Sequence, residues 1–252
     1  MTTATLRARL RAGERLLATF CLVPSVEMVE LIALAGFDAV ILDTEHGPYG
    51  TGQLGPLILA ARARGIAPIV RVRTGEASLI GAALDVGASG VLVPMVASRA
   101  AAEAVVRAAR FAPEGSRGAN PWVRAGDFGA RAGWFAEANA EVAVIAMIEG
   151  EAGVEAAGDI VATPGLDAVF LGPVDLSHAL GVPGEVDHPR VVETIEAVIE
   201  GASAQGLATA LFTPGAERAR HWFARGVGLV ALGCDTAHAL HGLRLAADVA
   251  KG

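Results

Sequence analysis

Two acidic side chains, Glu149 and Asp175, lie after two consecutive apolar segments of the chain. Carboxylate oxygens are hard ligands that favour Mg²⁺ or Mn²⁺, with water and substrate completing an octahedral ligand set. Each carboxylate could instead cap the helix that follows it, and Asp175 in particular could cap a helix from Leu176 onward. The pair therefore predicts a divalent-metal site, with helix capping as the alternative.

A histidine and an arginine occupy comparable positions after other apolar segments. His46 lies in the turn-forming segment 43–48, where it could act as a general base near neutral pH or be an ordinary loop residue. Arg71 ends an apolar segment, where its guanidinium could stabilise an oxyanion or form a salt bridge with Glu45 or Glu149. Both alternatives stay open at the level of the sequence.

The composition excludes several other kinds of chemistry. Of the 20 Lys and Arg residues, 19 are Arg, and the only lysine is Lys251 near the C-terminus. A Schiff-base mechanism, covalent attachment of pyridoxal phosphate (PLP) and a P-loop each need a lysine, so none is expected. No Gly-x-Gly-x-x-Gly motif follows the first predicted strand, which argues against a doubly wound dinucleotide-binding sheet, and no NAD is expected. A net charge of −7 with scattered arginines argues against a nucleic-acid partner.

The elements that must position these side chains alternate regularly along the chain. Short apolar segments predict strands at 16–23, 39–43, 69–72, 90–94, 142–148, 168–171, 208–212 and 229–232. Stretches of helical period between them predict helices at 25–35, 53–64, 77–86, 99–110, 151–160, 189–205, 216–224 and 236–249. Eight strands that are apolar throughout, each followed by a helix, predict an α/β fold, a single (β/α)8 TIM barrel over residues 1–252. A doubly wound open sheet is the alternative.

A barrel makes the positions of the polar residues meaningful, because catalytic groups of such barrels lie at the C-terminal ends of the strands. His46, Arg71, Glu149 and Asp175 all fall at those ends. The irregular segment 113–130 is longer than a connection requires, and we expect it to follow strand four on the same rim. The N-terminal arginines are expected to form a solvated basic face; they are Arg7, Arg9, Arg11 and Arg15.

The sequence also bears on the compartment. Cys21 and Cys234 lie in apolar runs without metal-type spacing, which predicts buried free thiols in a reducing cytoplasm. Residues 1–12 lack the apolar centre of a signal peptide. Segment 78–97 is apolar enough to suggest a membrane span, but Asp85 and several glycines divide it into a helix and a strand. We therefore expect a cytoplasmic protein with no membrane partner.

Several motifs follow one another in an order typical of a known family. They are FDAVILDTEH at 37–46, PIVRV at 68–72, LDVGA at 84–88, GVLVPMV at 90–96, RG at 117–118, MIE at 147–149 and DAVFLGPVDLS at 167–177. This succession resembles the metal-dependent (class II) pyruvate aldolases of the HpcH/HpaI type, which include 4-hydroxy-2-oxoheptanedioate and 2-dehydro-3-deoxyglucarate aldolases. The resemblance runs from about residue 16 to residue 249.

The resemblance implies specific roles for the candidate residues. Glu149 and Asp175 would hold a divalent metal (Mg²⁺, Mn²⁺ or Co²⁺), which also chelates the carboxylate and ketone oxygens of a 2-oxo acid. His46 would serve as base through a bound water with support from Asp85, and the resemblance allows Asp85 to act across a subunit boundary. Arg71 would stabilise the enolate oxygen.

Further implications concern the substrate carboxylate and the assembly. Backbone amides in the segment formed by Gly172, Pro173 and Val174 would receive the carboxylate of the 2-oxo acid. The family also implies a homohexamer in which the C-terminal helix, 236–249, is exchanged between subunits. Two features depart from the family pattern: Val174 stands where a small or polar residue is usual, and segment 119–124 lacks the usual small residues. We expect that second segment to touch the aldehyde.

The expected function is reversible aldol cleavage and addition between pyruvate, or hydroxypyruvate, and an aldehyde. A lyase that cleaves a CoA thioester on a similar barrel is one alternative, although no basic patch is present for the CoA phosphates. A non-catalytic barrel that only binds a ligand is the other alternative. The presence of His46, Arg71, Glu149 and Asp175 together argues against it.

Overall fold

The computed structural model describes residues 4–252 and contains a closed barrel of eight parallel strands in the order β1 to β8. Helices alternate with the strands, which confirms the predicted α/β barrel architecture. The strands are β1 Leu16–Cys21, β2 Ala39–Asp43, β3 Ala67–Arg71, β4 Gly90–Val93, β5 Ala143–Ile148, β6 Ala168–Leu171, β7 Ala208–Thr213 and β8 Leu229–Cys234.

Twelve α-helices accompany the strands within residues 4–252. They are α1 Leu6–Arg11, α2 Val26–Leu34, α3 Thr51–Ala63, α4 Ala77–Asp85, α5 Arg99–Ala109, α6 Trp134–Glu141, α7 Glu151–Glu155, α8 Ala157–Val161, α9 Pro173–Ala179, α10 Pro189–Ala204, α11 Ala216–Ala224 and α12 Asp235–Lys251. A 3₁₀ helix at Arg124–Gly129 precedes α6. Segment 78–97 consists mainly of α4 and β4, as its glycines predict.

The strands are apolar along their whole length because both of their faces are buried. In β2, Ile41 packs among the residues that fill the barrel, whereas Val40 and Leu42 pack against the surrounding helices. Neighbouring strands keep the parallel register, with Asp43 of β2 opposite Arg71 of β3. This register brings two charged side chains together at one end of an otherwise apolar barrel.

The first helix closes the opposite end of the barrel, and sequence analysis did not predict it. Leu6 and Leu10 of α1 are buried against the inner residues of the barrel. Arg7 donates from Nε to Oδ1 of the buried Asp167 at 2.7 Å, and Arg110 donates from Nη2 to Oδ2 at 2.8 Å. The expected solvated basic face is therefore wrong for Arg7, because a buried carboxylate attracts its guanidinium inward.

Segment 113–130 lies at this same closed end, so its expected position on the active-site rim is wrong. It connects α5 to α6, and hence leads from a helix towards the start of β5. Ala125 and Asp127 line a cavity together with Ser89 and Val142, which directly precede β4 and β5. The error arose because the segment does come after β4 in sequence, but α5 first carries the chain back to the other end.

Three other differences concern short helices. Sequence analysis missed α6 and α9, and it predicted one helix where α7 and α8 are separated at Ala156. Among residues 4–252, none of the helices combines the length and the apolar character needed to cross a membrane.

Candidate active site

A cavity of about 340 Å³ opens at the C-terminal ends of the strands. Its lining comes from the last residues of several strands and from the loops that follow them. These residues are Phe20, Leu22, Asp43, His46, Arg71, Met147, Phe170, Gly172, Pro173, Val174, Asp175, Phe212 and Cys234. Of the five residues predicted for catalysis or metal binding, three, namely His46, Arg71 and Asp175, are among them, and Glu149 lies directly behind Gly172.

Arg71 is held in place by two carboxylates. Its Nε and Nη2 donate to Oδ1 and Oδ2 of Asp43 at 2.9 and 2.6 Å, and its Nη1 lies 3.1 Å from Oε2 of Glu45. Burial alone would lower the pKa of the guanidinium, but the hydrogen bonds and charge of Asp43 outweigh it and the net shift is upward. The ion pair with Glu45 matches one of the sequence alternatives, and the cation still faces the cavity.

The loop that carries His46 is organised by Asp43. Asp43 Oδ1 accepts the backbone N–H groups of Glu45 and His46 at 3.0 and 3.3 Å. Gly47 is required in this turn, because a Cβ there would lie 2.1 Å from the carbonyl oxygen of Asp43. The side chain of His46 is exposed at the cavity mouth, where it can reach a substrate or a water molecule.

Tyr49 anchors the same loop from below. Its buried hydroxyl accepts the N–H of Asp43 at 2.8 Å and donates to the carbonyl oxygen of Cys21 at 2.6 Å. The hydroxyl therefore links the ends of β1 and β2 directly beneath the residues that face the cavity. Burial raises the pKa of this phenol, so it remains a neutral hydrogen-bonding group.

Glu149 is a buried carboxylate at the end of β5, with 5% of its surface exposed. Its Oε1 accepts the N–H of Met95 at 2.8 Å. Met95 has φ of +53°, a strained conformation for a residue other than glycine, and such strain is typical of functional sites. Burial, reinforced by the charges of Asp175 and Glu45 and opposed by the Met95 hydrogen bond and the charge of Arg71, raises the pKa of Glu149 to about 7.

Gly172 leaves room for the other oxygen of Glu149. A Cβ at this position would lie 3.2 Å from Glu149 Oε2 and 2.9 Å from Met147 Cε. Gly172 also caps the start of α9, with Pro173 as the first helical residue. Asp175 lies in the first turn of α9, so the alternative in which it caps a helix beginning at Leu176 is wrong.

These residues fit a divalent cation. The charge of Asp175 raises the pKa of both Glu45 and Glu149, so these three carboxylates lie close together, while Arg71 is paired with Asp43. Glu45 Oε2 is buried and accepts no hydrogen bond. Within residues 4–252, no group of three or more His, Cys, Asp or Glu side chains is arranged as a metal site. A cation here would take Glu149 and Asp175 as ligands, relieve the repulsion and leave its other positions to water and substrate.

A comparison with known families identifies the family of this chain. The sequence profile of the HpcH/HpaI aldolase/citrate lyase family matches residues 17–242, which is most of the chain. The chain belongs to this family. It is accordingly an enzyme, a lyase of the class II aldolase type, as sequence analysis predicts.

Curated relatives and solved structures are similar to this chain over most of its length. The 5-keto-4-deoxy-D-glucarate aldolase of Escherichia coli O157:H7 is 38% identical over 206 residues, which cover 82% of this chain and 80% of the relative. An HpcH/HpaI aldolase/citrate lyase family protein from Burkholderia cenocepacia J2315 is 33% identical, with a TM-score of 0.94 over 98% of this chain and 99% of the other. The citrate synthase SbnG is 34% identical, with a TM-score of 0.88 over 98% and 97% of the two chains.

One residue predicted for the aldolase site, Asp85, lies elsewhere in the chain. It ends α4, just before β4 begins, and therefore lies at the closed end of the barrel. Its Oδ1 accepts a hydrogen bond from Nη2 of the buried Arg117 at 2.6 Å. Burial lowers the pKa of that guanidinium, and the pairing with Asp85 opposes the shift. One chain thus brings His46, Arg71, Glu149 and Asp175 together, and it does not bring Asp85 to them.

Sequence reasoning missed two residues of the aldolase site: Asp43 as the main partner of Arg71, and Tyr49. Asp43 could have been found from the barrel pattern, since it ends β2 directly opposite the end of β3. Tyr49 gave no comparable signal, because its hydroxyl acts through backbone groups on two strands.

Proposed function

We propose that this aldolase cleaves a 4-hydroxy-2-oxo acid reversibly to pyruvate, or hydroxypyruvate, and an aldehyde. The supporting observation is the convergence of Glu149, Asp175, Arg71 and His46 on one cavity at the C-terminal ends of the strands. Two carboxylates, one cation and one imidazole are the parts that enolate chemistry needs.

Glu149 and Asp175 would hold the divalent metal, for which Mg²⁺, Mn²⁺ and Co²⁺ are the expected ions. When bound, the metal supplies Lewis-acid polarisation of the 2-oxo group, which lowers the barrier to forming a carbanion at C3. The two carboxylates arrive from neighbouring strands, β5 and β6, and Met95 and Gly172 fix the orientation of Glu149. The chain offers only Lys251 for the alternative imine strategy, at the far end of α12.

Arg71 stabilises the negative charge that develops on the 2-oxo oxygen. Asp43 fixes its guanidinium before substrate arrives, so little reorganisation is needed during the reaction. Gly172 and Val174 offer backbone N–H groups to the substrate carboxylate, whereas Pro173 has no N–H and shapes the turn.

His46 moves the proton. In the cleavage direction it takes the proton of the 4-hydroxyl, directly or through a water molecule. The bond between C3 and C4 then breaks, the aldehyde leaves with its new carbonyl group, and the electron pair remains on C3. A proton returned to C3 gives the methyl group of pyruvate, and addition follows the same steps in reverse.

The assembly is part of the proposal. We place Asp85 beside His46 of a neighbouring subunit, in a homohexamer whose C-terminal helices, 236–249, are exchanged. Support comes from α12, in which only Asp235 is buried, while Leu240, Leu243, Leu245 and Val249 are exposed. The two free thiols, Cys21 and Cys234, agree with a cytoplasmic enzyme.

The proposed function is tested by exchange of the C3 protons of pyruvate in deuterated water, which needs no aldehyde. We expect exchange with Mn²⁺ or Mg²⁺ and none after complete chelation. Glu149→Ala and Asp175→Ala should abolish exchange, and Arg71→Ala should slow it without releasing the metal. Glu30→Gln, which removes a surface carboxylate, is the matched control. Exchange that survives chelation would refute the proposal.

A further inference from the structure

The cavity is lined by two groups of residues of different chemistry. One group, the polar side, consists of Asp43, His46, Arg71 and Asp175, the residues assigned to the 2-oxo acid. The other group, the apolar side, consists of apolar side chains that include Leu22, Val174 and Phe212. An aldol reaction needs room for two partners, and the 2-oxo acid takes the polar side. The apolar side is therefore left for the aldehyde.

The apolar side is a packed wall rather than a set of mobile side chains. The ring of Phe20 meets the rings of Phe170 and Phe212 edge-on, each with 6.0 Å between ring centroids. The guanidinium carbon of Arg71 lies 4.6 Å from the centre of the Phe20 ring, which connects this wall to the polar side. Aromatic rings interlocked in this way offer no polar partner to a bound molecule.

The charges around the cavity disfavour an aldehyde that carries a carboxylate. Among the lining residues in the part of the chain described here, Arg71 is the one guanidinium, and Asp43 and Glu45 already pair with it. His46 is assigned to proton transfer. Asp175 and Glu149 are assigned to the metal ion, and that ion to the 2-oxo acid, so the described residues of one subunit leave no cation free. A second carboxylate would lose its hydration without gaining a free cation in return.

We infer that the aldehyde partner is uncharged and aliphatic, and that Leu22, Val174 and Phe212 determine this specificity. The inference rests on the proposed aldol reaction and adds the class of its second substrate. Val174 thereby gains a role: it replaces a small or polar side chain with an apolar one at the mouth of the cavity.

Val174 and Phe212 also limit the length of the aldehyde. Both line a second cavity of about 140 Å³, which lies on the other side of these two side chains and is otherwise bounded in part by Ile195 and Trp222. The two cavities share this wall. Shortening Phe212 should join them and admit a longer aliphatic chain.

The first test compares butanal with succinic semialdehyde, two four-carbon aldehydes that differ at the far end in a methyl group and a carboxylate. With pyruvate and Mn²⁺ fixed, we expect kcat/KM for butanal to exceed that for succinic semialdehyde by at least about tenfold. Equal or faster turnover of succinic semialdehyde, with pyruvate exchange intact, would overturn the inference and leave the proposed function standing. If the parent protein does not exchange the C3 protons of pyruvate, both the inference and the proposed function are overturned.

The second test introduces a cation on the apolar side. Leu22→Lys should raise kcat/KM for succinic semialdehyde relative to butanal by about tenfold, because the added ammonium can pair with the carboxylate. Leu59→Lys makes the same change on α3 outside the cavity and should leave the ratio unchanged. If Leu22→Lys does not fold, Val174→Lys serves instead, since the side chain of Val174 is 43% exposed. An unchanged ratio in a folded variant that still exchanges pyruvate protons contradicts the assignment.

The third test addresses chain length. Phe212→Ala should raise kcat/KM for octanal relative to butanal by about tenfold, because the wall between the two cavities is removed. Pyruvate exchange measured on the same preparation confirms that the donor half of the site is intact. An unchanged ratio in a variant that exchanges normally would exclude Phe212 as the limit on length.

Discussion

Arg71 and Asp43 are joined by two hydrogen bonds across the ends of neighbouring strands, at 2.9 and 2.6 Å. The side chain of Asp43 is 1% exposed and that of Arg71 is 10% exposed, so the pair is largely shielded from water. The cation that serves the proposed reaction is therefore oriented by a residue that the register of the sheet supplies. The proposed catalysis and the stability of this end of the barrel therefore depend on the same two hydrogen bonds.

Asp43→Asn tests that dependence. The substitution leaves the buried Arg71 without its main counter-charge, so we expect the free energy of unfolding to fall by about 3 kcal/mol. Pyruvate exchange should slow by at least about tenfold, because the guanidinium is no longer fixed in advance. Urea unfolding and exchange kinetics measure the two effects. Glu30→Gln breaks the exposed pair with Arg64 and should cost less than about 1 kcal/mol.

Metal affinity should depend on pH through Glu149. Its pKa of about 7 lies above the ordinary value because the carboxyl is buried, so it takes up a proton as the pH falls through 7. A proton and a metal ion compete for this carboxylate, and the affinity for Mn²⁺ should fall by up to about tenfold per pH unit below 7. Calorimetric titration at several pH values measures the affinity, and a flat profile between pH 8 and 5 would contradict the assignment.

In the metal-free protein, the contribution of Glu149 to the free energy of unfolding should change with pH in the opposite direction from metal affinity. Because the folded pKa of Glu149 exceeds the unfolded value, the folded state binds the proton more tightly and stability is lost as the pH rises from 4.5 to about 7. Glu149→Gln removes this cost and should make the metal-free protein about 3 kcal/mol more stable than the parent at pH 8. The difference should shrink towards pH 5, as followed by urea unfolding in the presence of chelator. If the Glu149→Gln variant and the parent are equally stable at pH 8, the charged form of Glu149 does not destabilise the folded protein.

Gly172→Ala should weaken the site without unfolding the barrel. The added Cβ would lie 3.2 Å from Glu149 Oε2, and Met147 Cε at 2.9 Å can move away more easily than the carboxylate. We expect at least about tenfold weaker Mn²⁺ binding and slower pyruvate exchange. Gly201→Ala is the matched control, because the nearest atom lies 3.9 Å away in the middle of α10, and there alanine should stabilise by about 0.5–1 kcal/mol.

Asp85 can be tested by mixing subunits. Asp85→Ala and His46→Ala should each abolish turnover in a pure oligomer. If the two residues meet across a boundary, oligomers mixed in equal amounts should regain about a quarter of the parental activity. In about a quarter of their sites, an intact His46 of one subunit meets an intact Asp85 of its neighbour. Activity after unfolding and refolding the mixture measures the recovery. Leu243→Glu on the exposed face of α12 should break the oligomer and remove this recovery.

The order of strands and helices could be predicted because each barrel strand is buried on both faces and each helix packs on one. That pattern placed Glu149, Arg71 and His46 at the correct ends of β5, β3 and β2. The closed end of the barrel could not be predicted in the same way. Arg7 and Asp167 are 160 positions apart in the sequence, so no local pattern indicates that the arginine pairs with a buried carboxylate.

The partners of the site residues were harder to predict than the residues themselves. Glu45 and Glu149 seemed equally available to Arg71 in the sequence, and only the register of β2 and β3 selects Asp43 as the main partner. For Asp85 the difficulty is the reverse. The sequence motif around it is easily identified, but within a single barrel Asp85 lies at the end away from His46.

Tyr49 gives this molecule a built-in reporter. It is the only tyrosine among the 252 residues, and its hydroxyl joins the backbone of Asp43 to that of Cys21. A protein grown on isotope-labelled tyrosine therefore yields one set of ring signals in a nuclear magnetic resonance spectrum, with no assignment problem. Any ligand that shifts the loop of Asp43 and His46 alters that single set of signals, even when no reaction takes place.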